Sequence, residues 1–377
     1  MKKIIYGTGS VGEAIFQECF KKNIPIECFC DDESGSTGKK LFGLEVLKLE
    51  TIKEKYENIE FYIAIPTACS IIDKLKRNGF NKWKLANEIL DNKNYINYSY
   101  EVNKKIAIFE IEECLTLHKH YNKENKLLIR SLDLVITEKC SLKCSQCSNL
   151  MEHYKNPKNF SIDNIILQVN DLLNYLDKIF ELRIIGGEPF MNKDIFKILE
   201  KLVEYEKINR IILFTNGTIL PPKNKWKYLK NEKIVFFITD YGKLSKNIDK
   251  LKDNLKNEDI PYKILKSDKW SPCTIKKHKR SKEELKEIYS QCCAKNLITF
   301  LKNKLYTCPF IANLDNLNLV NIDKEDFIDL SSLNPTNNKE SRKLIQDFLF
   351  KKSLFSSCDY CLGRPFNGEK IQAAQQL

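Results

Sequence analysis

Short apolar runs alternate with amphipathic helical segments between Leu132 and Leu265, and this rhythm constrains the fold more than any other feature of the chain. The runs are LDLVIT, ELRIIG, RIILFT, KIVFFIT and PYKIL. Strands that are apolar on both faces and joined by helices predict a parallel sheet with both faces covered. We therefore expect an α/β fold with an open or closed βα barrel, whose ligands bind at the C-terminal ends of the strands.

The start of the chain lacks the apolar segment and small-residue cleavage site of an export signal. No later run approaches the roughly 20 apolar residues of a membrane span. We therefore expect a cytoplasmic protein that does not contact a membrane. In a reducing cytosol, clustered cysteines among the fourteen in the chain indicate metal binding rather than a disulfide framework.

Three cysteines follow the first predicted barrel strand within eight positions, in the segment CSLKCSQC: Cys140, Cys144 and Cys147. A zinc knuckle normally offers four ligands from paired CxxC units, and the fourth is missing here. Three thiolates on a 4Fe–4S cluster leave one iron open, because the fourth iron is usually capped by another cysteine. The spacing therefore predicts a cluster with a position open for a ligand or substrate.

This segment resembles the CxxxCxxC signature of radical S-adenosylmethionine (SAM) enzymes, and the resemblance extends to the next strand ends. GGEP (186–189) closes the second barrel strand, TNG (215–217) the third and TDYG (239–242) the fourth. The resemblance implies a partial (β/α)6 radical SAM barrel over residues 130–268. In that family the open iron chelates SAM, and an electron from the cluster releases a 5'-deoxyadenosyl radical that abstracts hydrogen.

The resemblance also implies roles for residues at these strand ends. Gly186 and Gly187 are expected to let the backbone approach the methionine part of SAM, since they have no Cβ. Glu188 is expected to bind the SAM ammonium group. The residues expected to bind the ribose hydroxyls or the methionine carboxylate are Thr215, Asn216, Thr239 and Asp240. Each motif alone is an ordinary turn, so the prediction depends on their occurrence together with the cysteines.

A second group of cysteines supplies four thiolates, the number that a closed 4Fe–4S cluster or a structural zinc site needs. They are one of Cys292 or Cys293, with Cys292 preferred, together with Cys308, Cys358 and Cys361. The arrangement is similar to the Twitch (half-SPASM) domain of radical SAM enzymes, with Asn303 in place of the family's turn glycine. The resemblance implies one auxiliary cluster in a small C-terminal domain, 269–377. The other cysteines, including Cys273, are expected to be small buried residues.

The first 92 residues form a separate small βαβ unit, followed by a predicted linker helix at 93–129. A glycine turn with Gly7, Gly9 and Gly12 follows the first strand, and Asp31 comes about twenty residues later, as in a dinucleotide-binding fingerprint. The unit resembles the N-terminal Rossmann-like domain of sugar acyltransferases and glycan-locus enzymes. It is expected to bind a nucleotide or nucleotide sugar, to be a scaffold that has lost binding, or to bind NAD.

This combination of domains implies a sugar or nucleotide-linked sugar as substrate, in surface-glycan or natural-product biosynthesis. The expected reaction is oxidation of an alcohol carbon, with the auxiliary cluster accepting an electron and a flavodoxin or ferredoxin as electron donor. Sugar epimerisation remains an alternative. A peptide maturase is another, although it should carry a winged-helix leader domain, and an iron–sulfur sensing protein is the non-enzymatic alternative. No catalytic base can be chosen.

The net charge of +12 does not indicate a nucleic-acid partner. The lysines are spread along the chain and mixed with fifty acidic residues. A face that follows a phosphate backbone should concentrate its positive charge. We therefore expect a small-molecule substrate.

Overall fold

A computed structural model of the chain describes residues 1–32, 35, 38–90, 92–121, 126–295, 297–334, 338–365 and 368–377. The chain divides into two units, residues 1–126 and residues 127–377. Across the described ranges, no helix has the length and apolar character needed to cross a membrane.

The first unit is built on one sheet. Its strands are β1 (Lys2–Tyr6), β2 (Cys28–Cys30), β3 (Lys40–Leu41), β4 (Leu44–Leu47), β5 (Ile59–Ile63) and β6 (Trp83–Leu85), and its helices are α1 (Ser10–Lys21), α2 (Leu49–Lys55), α3 (Ala68–Arg77) and α4 (Lys104–His120). The strand order is β3-β4-β2-β1-β5-β6, and every pair except β3–β4 is parallel. The sequence predicted a small βαβ unit here. The structure adds short strands whose length is insufficient to show a periodic pattern.

Helix α4 belongs to the first unit and does not form a linker between domains. Ile111 and Cys114 on its inner face are fully buried and share a core with Ile15 of α1. The amphipathic pattern that suggested a linker is explained by this packing, because an apolar helix face needs a partner surface. The predicted division at 92 and the linker at 93–129 therefore differ from the structure, and residues 122–125 of that segment lie outside the described ranges.

The second unit contains the predicted parallel sheet. Its strands are β7 (Leu128–Thr137), β8 (Lys178–Gly186), β9 (Ile208–Thr215), β10 (Ile234–Asp240), β11 (Tyr262–Lys266), β12 (Lys269–Trp270), β13 (Ile298–Leu301), β14 (Lys304–Tyr306), β15 (Ile328–Asp329) and β16 (Ile371–Gln372). Its helices are α5 (Ile162–Leu173), α6 (Ile195–Leu202), α7 (Ile248–Asn257), α8 (Lys282–Gln291), α9 (Pro309–Asn316) and α10 (Asn338–Gln346). The main sheet has the order β11-β10-β9-β8-β7-β13-β14-β15 and is open.

The five predicted barrel strands are all present as β7 to β11, and neighbouring strands in this series pair in parallel. Helix α5 begins after Ser161, whose hydroxyl caps it by accepting a hydrogen bond from the N–H of Asn164. The prediction of a mixed α/β fold with a parallel sheet is therefore confirmed.

The sixth parallel strand comes from the segment assigned to the C-terminal domain. β13 pairs in parallel with β7, and β14 and β15 continue the sheet antiparallel. The hairpin turns at Lys302 and Asn303, with φ of 50° and 63°, so the left-handed turn predicted at Asn303 is confirmed. Strands β13, β14 and β15 of the segment assigned to the C-terminal domain therefore share a sheet with the barrel. The sequence could not show this, because a hairpin pattern does not say which open edge it will join.

Candidate functional site

The candidate site lies where β7, β8, β9 and β10 end. Neighbouring parallel strands bring their C-terminal ends to one edge of a sheet, which is where ligands bind in such folds. The cysteine loop (residues 140–147) follows β7, and GGEP, TNG and TDYG follow or close the next strands. The structure thus brings together the motifs that lie about a hundred residues apart in the sequence.

Burial raises the pKa of each of the three thiols in the cysteine loop. The pKa of Cys140 rises to about 12 and that of Cys147 to about 11. After burial, all three thiols contribute to raising the pKa of Tyr241, so they lie around one space beside that side chain. Binding of iron would release the protons of these thiols, because a metal stabilises thiolates.

Hydrogen-bond donors point at the sulfur atoms of this loop. The backbone N–H of Leu142 bonds the sulfur of Cys140, and backbone N–H groups of Asn149 and Met151 bond that of Cys147. The sulfur of Cys144 receives the side-chain amide of Gln376 at 3.2 Å. Hydrogen bonds from amide groups to sulfur are one of the ways in which proteins set the reduction potential of iron–sulfur clusters. The donor set therefore fits a cluster ligated by these cysteines.

Gly186 and Gly187 make room for the cysteine loop itself. A Cβ on Gly186 would lie 2.2 Å from the carbonyl oxygen of Thr137, and one on Gly187 would lie 2.3 Å from that of Lys139 and 2.5 Å from the Cβ of Cys140. The sequence predicted that these glycines allow SAM to approach. That role stays a prediction, and the structure shows close backbone packing of two strand ends, which holds the loop beside β8.

Glu188 is the residue expected to bind the SAM ammonium group, and that role stays a prediction. The side chain is fully buried and accepts hydrogen bonds from the Thr215 hydroxyl at 2.9 Å and from the N–H of Asn216 at 2.8 Å. Burial raises the pKa of Glu188 to about 7, although these hydrogen bonds favour the charged form. Glu188 and Thr215 therefore join the ends of β8 and β9.

Among the other predicted SAM contacts, Asn216 faces the cysteine loop. Its amide donates to Ser141 at 3.1 Å and lies 3.9 Å from the sulfur of Cys140. The Asp240 side chain accepts the N–H of Gly242 and so closes its own turn. Thr239 lies beside the hydroxyl of Tyr241. Asn216 is thus the predicted polar residue that the structure places closest to the thiols.

Sequence reasoning missed Tyr241 as a member of this site. Its ring lies 6.0 Å from that of Trp270 in an edge-to-face arrangement, next to the three thiols. The residue stands inside the TDYG motif, so its position at a strand end could have indicated it.

The second set of cysteines lines one pocket. Cys292, Cys308, Cys358 and Cys361 surround an empty volume of about 400 Å³, part of which is open to solvent. The thiol of Cys293 lies instead beside Ser271. Backbone N–H groups bond the sulfurs of Cys292, Cys308 and Cys361. The structure therefore brings together four of the five candidate thiols, with Cys292 as the member of the adjacent pair.

A buried arginine faces this pocket. Arg364 is 7% exposed, its Nε has no hydrogen-bond partner, and no carboxylate pairs with it among the described residues. Burial opposes its charge, but the surrounding thiols, first Cys273 and then Cys308, raise the pKa of the guanidinium. A buried cation of this kind requires a nearby anion. Four thiolates around a cluster would supply that negative charge.

The CDYC loop at 358–361 is held by the segment that precedes α8. The Asp359 carboxylate accepts the N–H of Arg280 at 2.8 Å and that of Lys279 at 3.1 Å. The Arg280 guanidinium donates to the carbonyls of Cys358 and Cys361 at 3.1 and 2.8 Å. These contacts position two of the four thiols without using the thiols themselves.

Within the described residues, no three His, Cys, Asp or Glu side chains are arranged to hold a single metal ion. Tetrahedral zinc needs all four sulfurs at about 2.3 Å from one atom. A 4Fe–4S cluster spreads its cysteines over separate irons and so spaces them more widely.

Comparison with protein families gives a match that covers the first site. Residues 134–252 match the model of the Radical SAM superfamily, a range that begins in β7 and ends in α7. The chain contains a radical SAM domain. The match includes the cysteine loop and the three following strand ends, and membership of this superfamily implies a 4Fe–4S cluster and SAM.

Curated relatives of the chain match over a limited length. A probable GTP 3',8-cyclase of Methanococcus maripaludis is 37% identical over 92 residues, which are 24% of this chain and 30% of that protein. The GTP 3',8-cyclase of Staphylococcus carnosus is 32% identical over 24% of this chain and 28% of its own length. The chain thus spans less than a third of the curated relatives it matches, which is too little to transfer their reaction to the radical SAM domain described here.

Solved structures resemble the chain more distantly. BtrN in complex with AdoMet and 2-DOIA aligns at 16% identity over 67% of this chain and 98% of its own, with a TM-score of 0.38. The anSMEcpe enzyme with bound AdoMet aligns at 12% identity over 62% and 89%, with a TM-score of 0.41. The strand order and the contacts of this chain, rather than these alignments, describe the radical SAM domain.

The glycine turn of the first unit lies outside the radical SAM domain. Gly7 has a φ of 119°, and Gly9 precedes α1 as its N-cap. A Cβ on Gly12 would lie 2.2 Å from the carbonyl oxygen of Gly7. Gly12 therefore permits close packing of α1 against the turn, as the third glycine of a dinucleotide fingerprint does.

The predicted acid of that fingerprint lies beside the same turn. Asp31 follows β2 and accepts a hydrogen bond from the Thr8 hydroxyl at 2.8 Å. At the start of α1, however, the Ser10 hydroxyl donates to the carboxylate of Glu110 at 2.6 Å. A carboxylate here competes with a phosphate for the helix N-terminus. The structure thus brings Asp31 to the glycine turn but also places an acid where a phosphate would bind.

Proposed function

We propose that the protein is a radical SAM enzyme with two 4Fe–4S clusters, which oxidises an alcohol carbon of a sugar or nucleotide-linked sugar. The observation that carries this proposal is the presence, in one unit, of a three-thiol loop at strand ends and a separate four-thiol pocket. Three thiols leave an iron for SAM, and four close a cluster.

Cys140, Cys144 and Cys147 hold the SAM-binding cluster in this proposal. Their sulfurs face one space, and each receives an N–H donor. Asn216 and Ser141 lie beside Cys140 and offer polar groups to SAM. Glu188 keeps Asn216 in place by accepting its backbone N–H.

Cys292, Cys308, Cys358 and Cys361 hold the auxiliary cluster. Arg364 compensates the negative charge of this cluster, which explains why its buried guanidinium pairs with no carboxylate in the part of the chain that the structure describes. Asp359 and Arg280 keep Cys358 and Cys361 at the pocket.

When bound, the clusters supply the electron that cleaves SAM and accept the electron that the substrate gives up, and SAM supplies the 5'-deoxyadenosyl radical. The substrate carbon loses one hydrogen atom to that radical, and its hydroxyl loses a proton to a base. A carbonyl forms in place of the alcohol, so two electrons and two protons leave the substrate. An electron acceptor in the four-thiol pocket favours this oxidation over redox-neutral epimerisation. A flavodoxin or ferredoxin is the proposed electron donor.

The first unit supports a nucleotide-linked substrate through its glycine turn, Gly7 to Gly12, and Asp31. The Glu110 carboxylate at the start of α1 supports the alternative of a scaffold that no longer binds phosphate. Both free and nucleotide-linked sugars therefore belong in the test.

A second candidate is a reaction on a nucleoside triphosphate. It is favoured by the relatives named GTP 3',8-cyclase, the first of which is 37% identical over 92 residues. A closed four-thiol cluster leaves no iron for such a substrate, so its binding would depend on other groups.

The test is anaerobic reconstitution followed by assay of 5'-deoxyadenosine release. We expect about eight irons per chain, four for each cluster, and SAM cleavage that a sugar or nucleotide sugar stimulates. A double Cys358→Ala, Cys361→Ala variant should retain about four irons. The control variant Cys69→Ala, which changes an exposed cysteine, should retain the full iron content.

The substrate panel separates the candidates. Stimulation by GTP alone would favour the second candidate, and stimulation by a peptide alone would make the protein a maturase. A reconstituted chain that holds no iron would refute the enzyme proposal, leaving neither cluster in place.

A further inference from the structure

The segment from Ile371 to Leu377, here called the tail, is anchored before it reaches the cysteine loop. β16 in the tail pairs antiparallel with β12, with Ile371 opposite Trp270. The N–H of Ala373 donates to the carbonyl of Asp268 at 2.9 Å, and Ala374 is buried. The tail is therefore part of the fold of the second unit.

Residues 375–377 form hydrogen bonds along the cysteine loop. The N–H of Ser145 donates to the carbonyl of Gln375 at 2.7 Å. The N–H of Lys143 donates to the side-chain oxygen of Gln376 at 2.8 Å. The N–H of Leu377 donates back to the carbonyl of Lys143 at 2.9 Å. The tail thus pairs with the loop on both sides of Cys144.

The side-chain amide of Gln376 donates to the carbonyl oxygen of Ala374 at 2.7 Å, and it makes one further contact, with a sulfur atom. Its Nε2 donates to the sulfur of Cys144 at 3.2 Å. Cys140 and Cys147 receive donors from backbone groups of nearby residues, and the side-chain amide of Asn216 also lies 3.9 Å from the sulfur of Cys140. The donor to Cys144 is closer, at 3.2 Å, and comes from a residue 232 positions later in the chain.

We propose that Gln376 is a positioning residue that raises the reduction potential of the cluster held by Cys140, Cys144 and Cys147. The inference rests on the proposed function, since it requires that cluster. Reduction adds negative charge to a cluster, and an N–H donor at a ligand sulfur stabilises that charge. The tail holds this donor in place through its hydrogen bonds to Lys143 and Ser145.

The test is a redox titration of the reconstituted full chain, followed by electron paramagnetic resonance. SAM alters the signal only of the cluster with an open iron, so the SAM-responsive signal identifies the cluster to follow. Gln376→Leu removes the donor at similar side-chain size. Gln376→Glu keeps an acceptor for Lys143 but places a carboxylate oxygen near the sulfur. Gln375→Ala is the matched control, because exposed Gln375 contacts the loop through its backbone carbonyl.

We expect the equilibrium constant for reduction to fall about tenfold in Gln376→Leu, a shift of about 59 mV to more negative potential for one electron. Gln376→Glu should shift the potential further, and Gln375→Ala should leave it unchanged. An unchanged potential in both Gln376 variants, or an equal shift in Gln375→Ala, would overturn the inference. A wild-type chain with no SAM-responsive signal would refute the proposed function instead.

Discussion

Replacing Gly187 by alanine tests whether this glycine is required by the packing of the cysteine loop. The added Cβ would lie 2.3 Å from the carbonyl oxygen of Lys139, 2.6 Å from its carbonyl carbon and 2.5 Å from the Cβ of Cys140. Real Cβ atoms essentially never come within 3.0 Å of such an atom, so the loop backbone or Gly187 itself must move by at least about 0.7 Å. None of these neighbours is the flexible end of a side chain. The displacement therefore falls on a predicted cluster ligand.

Two effects of Gly187→Ala lower the free energy of unfolding. Overpacking of a close contact costs about 1–3 kcal/mol. The movement also disrupts the hydrogen bond from the N–H of Glu188 to the carbonyl of Lys139, which is 2.8 Å long and worth about 1 kcal/mol. We therefore expect Gly187→Ala to lower the free energy of unfolding of the second unit by about 2–4 kcal/mol, and to lose the SAM-binding cluster.

Urea unfolding followed by tryptophan fluorescence measures the first effect. A Trp83→Phe background limits the signal to Trp226 and Trp270 in the second unit. Iron analysis after reconstitution measures the second effect, with about four irons expected in place of about eight. Gly242→Ala is the control, because Gly242 has a φ of 62° but open space around it. This variant should lose about 1–2 kcal/mol of unfolding free energy and should retain all of its iron. Wild-type stability and iron content in Gly187→Ala would refute the packing argument.

Gly12→Ala should destabilise the first unit by about 1–3 kcal/mol, since its Cβ would lie 2.2 Å from the carbonyl oxygen of Gly7; Trp83 fluorescence during urea unfolding should report the loss while iron content stays constant. Arg364→Gln should lower the potential of the SAM-unresponsive cluster by at least about 59 mV, and Arg364→Lys should restore part of it; equal potentials in both variants would contradict the charge-compensating role. The pKa of Glu188 is raised to about 7 in the folded protein from 4.5. Its contribution to stability is therefore full below pH 4.5 and is lost as the pH rises through 7, by about 3 kcal/mol, and Glu188→Gln should remove this slope in unfolding midpoints of the apoprotein.

The strands and the local motifs could be predicted because their signals are local. Five apolar runs in the barrel region became β7 to β11, and Asn303 occupies a left-handed hairpin turn. The segment CSLKCSQC indicated a radical SAM domain, which the family comparison supports over residues 134–252. Each of these signals depends on residues within a few positions of one another.

Roles that depend on distant contacts were predicted less well. The motif did not indicate that the Glu188 carboxylate accepts hydrogen bonds from Thr215 and Asn216. The predicted linker became α4 in the core of the first unit. A motif specifies which side chain stands at a strand end, but the neighbouring strand decides whether that side chain points into a site or into the packing.

By itself, the sequence determined the alternation of strands and helices, the three-cysteine loop and the presence of four further thiols, because spacing along the chain is sufficient to define them. Only the tertiary structure decided that β13 joins β7, that Cys292 and not Cys293 lines the pocket, and that Arg364 faces it. It also brought Gln376 to Cys144 across 232 positions. Such contacts form when sheet edges pair and buried polar groups find partners, and both depend on residues far apart in the chain.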